Sequence, residues 1–184
     1  MDLRFGGFSG GYLRNPAAGA HGTGATDYEI MPQLFQGRIR PDDVLVDVGC
    51  GKGRVINWWL SQGLANRIYG LELLTGVAES TRRRLRGYAN VTIVTGDAVE
   101  NLPPDGTLFF LFNPFDDNIM ARFVQRLWTL AERKDITVIY FAPVHLEAFR
   151  ADARWSVEER SIRLPKAGHF EQRHTRFALI TPKR

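Results

Sequence analysis

The sequence predicts an α/β fold: a doubly wound sandwich with a mostly parallel seven-stranded sheet and a C-terminal antiparallel hairpin. Short apolar runs alternate with amphipathic segments along most of the chain, which is typical of parallel strands covered by helices on both faces. A glycine-rich turn joins the first apolar run to the first amphipathic segment. The last two strand-like runs are joined only by PKAGHF, which is too short for a parallel crossover and predicts an antiparallel pair.

The elements follow one another with little ambiguity. The strand-like runs are VLVDV, RIYGLEL, VTIVT, TLFFLFNPF, ITVIYFA, RWSVEERSIRL and EQRHTRFALIT. After the glycine turn, Val55, Ile56, Trp59 and Leu60 mark one face of a helix that Gly63 can end. TGVAESTRRRLRG is the second predicted helix, and the most strongly amphipathic one lies between the fourth and fifth strands.

The N-terminal part has a different character. We predict one domain, 1–184, with an N-terminal cap or lid over residues 1–40 and a cofactor-binding core over residues 41–184. The first 26 residues are glycine-rich and are either a frayed tail or a loop that closes over a site. The TDYE stretch beginning at Thr26 fits a capping box, but Pro32 would lie too deep for its first turn, so the helix alternatively begins there.

Composition narrows the function. The formal net charge of +4 is compatible with an anionic partner but too small to require one. Cys50 is the only cysteine, which excludes an intrachain disulfide and a thiolate metal cluster. No apolar run reaches the length of a membrane span, and the N-terminus lacks a secretory apolar segment. We therefore expect a cytoplasmic protein with no membrane partner and no metal.

Chemically suggestive residues follow four of the predicted strands. They are residues 47–53, Glu72, Asp97 and residues 113–115. In an open parallel sheet, ligands bind beyond the carboxyl ends of the strands. Four such positions together are stronger evidence for a ligand site than any one of them alone. They predict a single ligand site at this edge of the sheet.

The glycine loop does not fit a phosphate-bearing ligand. Gly49, Gly51 and Gly53 form G-x-G-x-G, and Arg54 stands where the dinucleotide fingerprint has its third glycine. Asp47, just before the loop, would repel a pyrophosphate. A P-loop is excluded because no G-K-[ST] occurs. A cationic ligand is favoured, and a nicotinamide oxidoreductase is disfavoured.

Two later carboxylates suggest the rest of this ligand. Glu72 can accept hydrogen bonds from both hydroxyls of a ribose, or it can be a solvated strand end. Asp97 can accept from the exocyclic amine of an adenine while the amide of Ala98 donates to the ring, or Asp97 can cap a helix. The ligand inferred is an adenosine without a phosphate chain and with a positive end.

The motifs VDVGCGKGRV, GLELL, GDA and FFLFNPF resemble, in order, those of class I S-adenosylmethionine-dependent methyltransferases. The resemblance runs from Val44 to the C-terminus and implies a Rossmann-like methyltransferase sandwich with S-adenosyl-L-methionine as cofactor. It implies cofactor contacts from Asp47, Gly49, Cys50, Gly51, Glu72, Leu73, Asp97, Ala98 and Asn113. The side chain of Cys50 itself is expected to be a small packing residue.

Asn113, Pro114 and Phe115 are the expected catalytic residues. The resemblance places them at the position of the [DNS]-P-P-[YFW] motif of amine methyltransferases, which favours a nitrogen acceptor. One proline is missing here, which puts a planar base amine in doubt. The alternative is a strand-to-helix turn in which Asp116 or Asp117 is the N-cap.

The acceptor and its base are less well indicated. His145 follows the fifth strand and is either a general base in the cleft or a surface or helix-start residue. His169 and His174 fall in or near the C-terminal hairpin, and we expect both to be edge or surface residues. The basic cluster at residues 82–86 indicates a solvated helix face rather than an RNA contact. We expect an unidentified small-molecule or protein acceptor rather than nucleic acid; a catalytically silent binding module is the alternative.

Overall fold

A computed structural model describes residue 5 and residues 26–164 and 174–183. The elements are α1 (Met31–Phe35), β1 (Leu45–Val48), α2 (Arg54–Ser61), β2 (Ile68–Glu72), α3 (Thr75–Leu85), β3 (Val91–Thr95), β4 (Leu108–Leu111), α4 (Asp117–Ala131), β5 (Thr137–Phe141), α5 (Glu147–Arg150), β6 (Trp155–Arg163) and β7 (His174–Pro182). The short helix α5 was not anticipated from the sequence. Strand β4 ends at Leu111, so the Asn-Pro-Phe stretch lies in the loop beyond it.

The strands form one sheet in the order β3-β2-β1-β4-β5-β7-β6. Strands β1 to β5 are parallel, whereas β7 is antiparallel to both β5 and β6. The predicted fold class is therefore confirmed: a mostly parallel seven-stranded sheet with an antiparallel hairpin at the C-terminal end. The carboxyl ends of the parallel strands share one edge, and the register of β7 brings its first residue to that same edge.

Both faces of the sheet are covered by apolar layers. One core is formed mainly by side chains of α1, α2 and α3 with alternate strand residues such as Leu45, Ile68 and Phe110. The other is formed by α4 and α5 with the intervening strand residues, among them Val46 and Phe109. This alternation explains why the central strands have continuous apolar sequences, since each is buried on both faces.

The capping box expected at Thr26 is wrong. Helix α1 begins at Met31 with Pro32 in its first turn, and the N-cap residue, Ile30, makes no side-chain capping bond. Proline lacks an N–H and clashes inside a helix but is tolerated in a first turn, so its position decides where the helix begins. The choice between a tail and a closing loop for the first 26 residues lies largely outside the described residues, and the division into cap and core stays a prediction.

Hydrogen bonds of Phe5 and Gln33 are among the contacts that connect the N-terminal part with the rest of the fold. Phe5 is buried, and its carbonyl accepts a hydrogen bond from Arg84 of α3 at 2.9 Å. Gln33 of α1 uses its amide to accept from the backbone N–H of Arg163 and to donate to the carbonyl of Arg163, at 3.0 and 2.8 Å. Gln33 thus satisfies the outer edge of β6 where no further strand follows. None of the helices described is long and apolar enough to cross a membrane.

Candidate functional site

The strand ends bring the predicted ligand residues to one edge of the sheet. Strand β1 lies between β2 and β4, and β3 lies beyond β2. The glycine loop after β1 is therefore flanked by Glu72 on one side and by the Asn113 loop on the other. Asp97, after β3, lies one strand beyond Glu72. The convergence inferred from the sequence is present in the fold.

The glycine loop needs glycine for its backbone conformation. Gly49, Gly51 and Gly53 have φ angles of 76°, 51° and 69°, in the left-handed region that side chains disfavour. The amides of Gly49 and Cys50 both donate to the carbonyl of Leu71, at 2.9 and 2.8 Å, which folds the loop against β2. The result is a narrow turn in which Gly49 is exposed at the sheet edge while Gly51 and Gly53 are buried.

Glu72 orders this loop. The side chain is 6% exposed, and Oε2 accepts from the amide of Gly51 at 2.9 Å while Oε1 accepts from the amide of Leu74 at 2.8 Å. The sequence indicated a ribose contact but gave no sign of this loop contact. A carboxylate has about four lone-pair sites, so two backbone bonds leave capacity for two hydroxyls.

Asp47 is a second buried carboxylate in the same place. It is 3% exposed, within β1 and directly before the glycine loop. Burial raises the pKa of Asp47 to about 8, and the charge of nearby Glu72 adds to the rise. A cationic ligand beside this pair would stabilise the ionised carboxylate. The two carboxylates therefore fit the positive end of the ligand inferred from the sequence.

Helix α3 holds the loop from behind. Thr81 donates its hydroxyl to the carbonyl of Gly51 at 2.9 Å. Arg84 donates to the carbonyl of Lys52 at 2.5 Å and to Oδ1 of Asn57 in α2 at 2.9 Å. The expectation of a wholly solvated basic cluster is therefore wrong for Arg84, which lies half-buried behind the loop. Thr81 and Arg84 were missed, although they stand three residues apart on the face of α3 that carries buried Ala78.

Cys50 has the packing role expected of its side chain. It is buried, and its sulfur lies where a Cβ on Gly70 would come within 2.8 Å of it. Burial, together with the nearby carboxylates of Asp47 and Glu72, raises the pKa of the Cys50 thiol well above its usual value. A thiol that stays protonated is a poor nucleophile, so only the backbone of Cys50 is suited to ligand contact.

The predicted adenine end is more open. Oδ1 of Asp97 accepts from the amide of Val99 at 2.8 Å and so closes a turn after β3. Ala98 is buried, whereas Leu73 is 41% exposed beside Glu72. Leu73 supplies an exposed apolar surface of the kind on which a flat base can lie. The contacts expected of these three residues with a base stay predictions.

The side chain of Asn113 joins two loops. Oδ1 accepts from the hydroxyl of Tyr140 at 2.8 Å and from the amide of Val144 at 3.0 Å, while Nδ2 donates to the carbonyl of Ala142 at 2.8 Å. Asn113 and Ala142 both have positive φ angles, 46° and 44°. Such strained residues cluster at functional sites, where the surroundings hold them in place. The loops after β4 and β5 therefore form one wall, and neither Tyr140 nor Ala142 was anticipated.

The neighbours of Asn113 differ in their accessibility. A Cβ on Gly49 would meet Cβ of Pro114 at 3.0 Å, so the loops after β1 and β4 pack directly together. Phe115 is only 7% exposed and its ring lies 5.1 Å from that of Phe123, in the core. The acceptor contact expected of Phe115 stays a prediction that this packing does not favour.

His145 lies at the expected end of β5 but faces a carboxylate. Its Nδ1 is paired with Asp117 at the start of α4, its Nε2 is buried, and its side chain is 18% exposed. Asp116, not Asp117, is the N-cap of α4, because Oδ1 of Asp116 accepts from the amide of Ile119 at 3.0 Å. The pairing joins α4 to the loop after β5, and a catalytic role for His145 stays a prediction.

Comparisons with known proteins agree with this geometry. The sequence profile of one family, described as "Methyltransferase domain", matches residues 45–132. No curated protein matches the chain.

Solved structures match over most of the chain. The precorrin-6y C5,15-methyltransferase of Geobacter metallireducens has 18% identity and a TM-score of 0.59, over 87% of this chain and 92% of that one. The precorrin 8w decarboxylase of Methanobacterium thermoautotrophicum has 21% identity and a TM-score of 0.60, over 94% and 97%. The O-methyltransferase of Bacillus cereus, solved in complex with SAH, has 14% identity and a TM-score of 0.57, over 85% and 79%.

At these identities the structural matches show the fold. The family profile covers the stretch that contains the glycine loop, Glu72, Asp97 and Asn113. S-adenosylmethionine is accordingly the cofactor of this domain. Residues 45–132 match the profile of a methyltransferase domain, and the solved structures share the fold of this chain.

Proposed function

We propose that this protein transfers the methyl group of S-adenosylmethionine to a nitrogen atom of a small molecule or protein in the cytoplasm. The observation that carries the proposal is the pair of buried carboxylates, Asp47 and Glu72, beside the glycine loop. This pair suits a ligand with a cationic end and a ribose. The wall around Asn113 follows β4, which neighbours β1 in the sheet. An acceptor bound against this wall would meet the methyl group.

In the proposed reaction the acceptor lone pair attacks the methyl carbon as the bond from carbon to sulfur breaks. The cofactor supplies an already activated methyl group, so the protein mainly has to align the two reactants and exclude water. Asp47 and the loop backbone would hold the methionine part, Glu72 the ribose, and Asp97 with Ala98 the adenine. A neutral amine attacks with its own lone pair and afterwards loses its proton to solvent.

The preference for nitrogen rests on the Asn-Pro-Phe sequence. Both lone pairs of Asn113 Oδ1 are used by Tyr140 and Val144, so this side chain would act mainly by fixing the wall. A direct bond from Asn113 to the acceptor would have to replace one of these two. We therefore assign Asn113 a positioning role, with Pro114 packed against the glycine loop.

Isothermal titration calorimetry with S-adenosylmethionine and with NAD tests the cofactor class. Binding of the first and no binding of the second is expected. Tight NAD binding without S-adenosylmethionine binding would overturn the proposal. Incubation with methyl-labelled cofactor and fractionated cell extract then tests transfer, and a labelled product methylated on nitrogen is the expected outcome.

A catalytically silent binding module is the second candidate. It is favoured by the same observation on Asn113, whose side-chain oxygen already accepts two hydrogen bonds within the protein. Firm cofactor binding without labelling of any acceptor in extract would support this candidate over an enzyme.

A further inference from the structure

Basic and polar side chains lie together where β6 ends and β7 begins. Arg163 of β6 stands directly opposite His174 of β7, and Ser161 stands opposite Arg176. Successive residues of a strand point to opposite faces, so all four share one face. The sequence indicated only an exposed position for His174, because the cross-strand partners were not visible.

Two other arginines in the described strands of the hairpin have carboxylate partners. Arg160 pairs with Glu158 at 2.8 Å, and Arg176 pairs with Glu159 at 2.9 Å. Within residues 26–164 and 174–183, neither Arg163 nor His174 has a carboxylate partner. Two basic groups placed directly opposite each other in a sheet are unfavourable unless an anion lies between them. Arg163 and His174 therefore differ from Arg160 and Arg176 of the same two strands.

These two side chains line an open groove. Its volume is about 440 Å³, and Gln33, Ser161, Arg163 and His174 line it. This volume is in the range of small-molecule sites, roughly 300–1,000 Å³. The lining offers a guanidinium, an imidazole, a hydroxyl and an amide, which are hydrogen-bond donors suited to a phosphate or carboxylate.

The groove lies at the same sheet edge as the methyl-donor site. From β4 the sheet continues through β5 and β7 to β6, so β4 and β6 are separated laterally by three strand spacings, about 14 Å. Val144, which follows β5 between them, is 68% exposed. The edge therefore offers, in order, the wall at Asn113, an exposed apolar side chain and an anion-suited groove.

We infer that this groove binds an anionic group, a phosphate or carboxylate, of a small-molecule methyl acceptor. The acceptor would lie along the edge with its reacting atom near Asn113, an apolar middle over Val144 and its anionic end on Arg163 and His174. This inference rests on the proposed function for its substrate, but the anion site can be tested without any acceptor.

The first test titrates the full-length protein with inorganic phosphate and, separately, with acetate at constant pH and ionic strength. The imidazole resonances of His174 report binding by nuclear magnetic resonance. A saturable shift is expected for at least one anion, with a dissociation constant on the order of millimolar. The stronger anion indicates which of the two groups the acceptor carries.

Arg163→Gln is the matched variant and Arg160→Gln its control. Arg160 lies on the same strand but faces the opposite side of the sheet. Arg163→Gln should weaken anion binding at least about fivefold, whereas Arg160→Gln should leave it unchanged. The inference would be overturned if the His174 resonances do not shift on addition of either anion, or if the wild type and Arg163→Gln bind the anion equally well.

A second test uses the labelled product once transfer is seen. The product should be a small molecule that an anion exchanger retains, and Arg163→Gln should raise the acceptor KM without changing cofactor affinity. An uncharged product, or label in a polynucleotide, would contradict the inference. Calorimetry with S-adenosylmethionine separates the two failures: absence of cofactor binding refutes the proposed function, whereas intact binding without an anion site refutes only the groove.

Discussion

Asp47 is a buried acid whose protonation is coupled to folding. The pKa of Asp47 is raised from 3.8 to about 8 by burial, with a contribution from Glu72. Between these values the unfolded chain has released the proton and the folded protein still holds it. The contribution of Asp47 to stability is therefore lost as the pH rises through this window.

Asp47→Asn should remove this pH-dependent loss. We expect the variant to gain free energy of unfolding relative to wild type, and the gain should be larger at pH 8 than at pH 5 because only wild type is penalised at the higher pH. Urea denaturation of both proteins at the two pH values measures the difference, and other titrating groups cancel between them. An equal difference at both pH values would show that Asp47 does not titrate in this window.

Glu72 serves both the loop and the proposed ribose contact. Glu72→Ala should raise the dissociation constant of S-adenosylmethionine at least about tenfold, since a charge-assisted contact with two hydroxyls is lost. It should also lower the free energy of unfolding by about 1–3 kcal/mol, because the buried amide of Gly51 loses its acceptor.

Calorimetry and chemical denaturation check the two effects of Glu72→Ala separately. Glu79→Ala, on the exposed side of α3, is the control and should change neither quantity. An unchanged cofactor affinity in Glu72→Ala would place the ribose elsewhere.

For individual residues, the sequence was informative about residue type and position along a strand but not about hydrogen-bond partners. Asp47 and Glu72 could be found because a carboxylate at the end of an apolar strand is unusual and costly. The partners of Asn113 could not be found, because Tyr140 and Ala142 lie 27 and 29 positions away and meet it only through strand pairing. Hydrogen bonds between loops depend on backbone angles that a sequence pattern does not reveal.

Among the elements, the contact between the loops after β1 and β4 can be isolated experimentally. Gly49 has a φ of 76° and lies against Pro114, whereas Gly37 has a φ of 72° with nothing within 4 Å of its Cβ position. Alanine at either position pays the left-handed backbone cost of about 1–2 kcal/mol. Gly49→Ala should lower the free energy of unfolding by more than this backbone cost, because its methyl group forces the loops after β1 and β4 apart. Gly49→Ala should also weaken cofactor binding, whereas Gly37→Ala should not.

Thermal unfolding and calorimetry of the two glycine variants provide the comparison. Equal destabilisation of Gly49→Ala and Gly37→Ala would mean that the loop containing Pro114 moves aside with no loss of stability.

Helices and strands with a strong hydrophobic pattern were predicted well, whereas elements too short to show such a pattern were predicted poorly. The five parallel strands could be predicted because each is an apolar run bounded by turn residues. Strands β6 and β7 could be predicted as a pair because only a short link joins their two strand-like sequences. Helix α5 spans only Glu147–Arg150, too short for a helical pattern, and α1 begins where Pro32 permits. Strand β4 was predicted too long because apolar residues continue into the loop after Leu111.

For the whole molecule, cofactor binding should appear as global stabilisation. A ligand that binds only the folded state at about one hundred times its dissociation constant adds about 2.7 kcal/mol. For a chain of this size that corresponds to a rise in Tm of roughly 5–10 °C. Differential scanning fluorimetry should show this rise with S-adenosylmethionine and none with NAD; no rise with either would indicate that the edge does not bind the cofactor.

The topology of the molecule was predictable because alternating strands and helices leave few arrangements of a parallel sheet. The relation between the hairpin groove and the donor site was not, since it depends on β7 inserting between β5 and β6. Sequence order places these strands last, whereas the sheet places Arg163 and His174 at the end where β5 also ends.

The hidden role of Arg84 affects how surface charge on this protein can be tested. Replacing the arginines of residues 82–86 together would be a natural way to look for binding to RNA or another polyanion. Such a scan would also cut the bonds from Arg84 to Lys52, Asn57 and Phe5. Loss of activity in the combined variant would then be a false positive for polyanion binding. Variants at Arg83 and Arg86, with Arg84 retained, give the interpretable experiment.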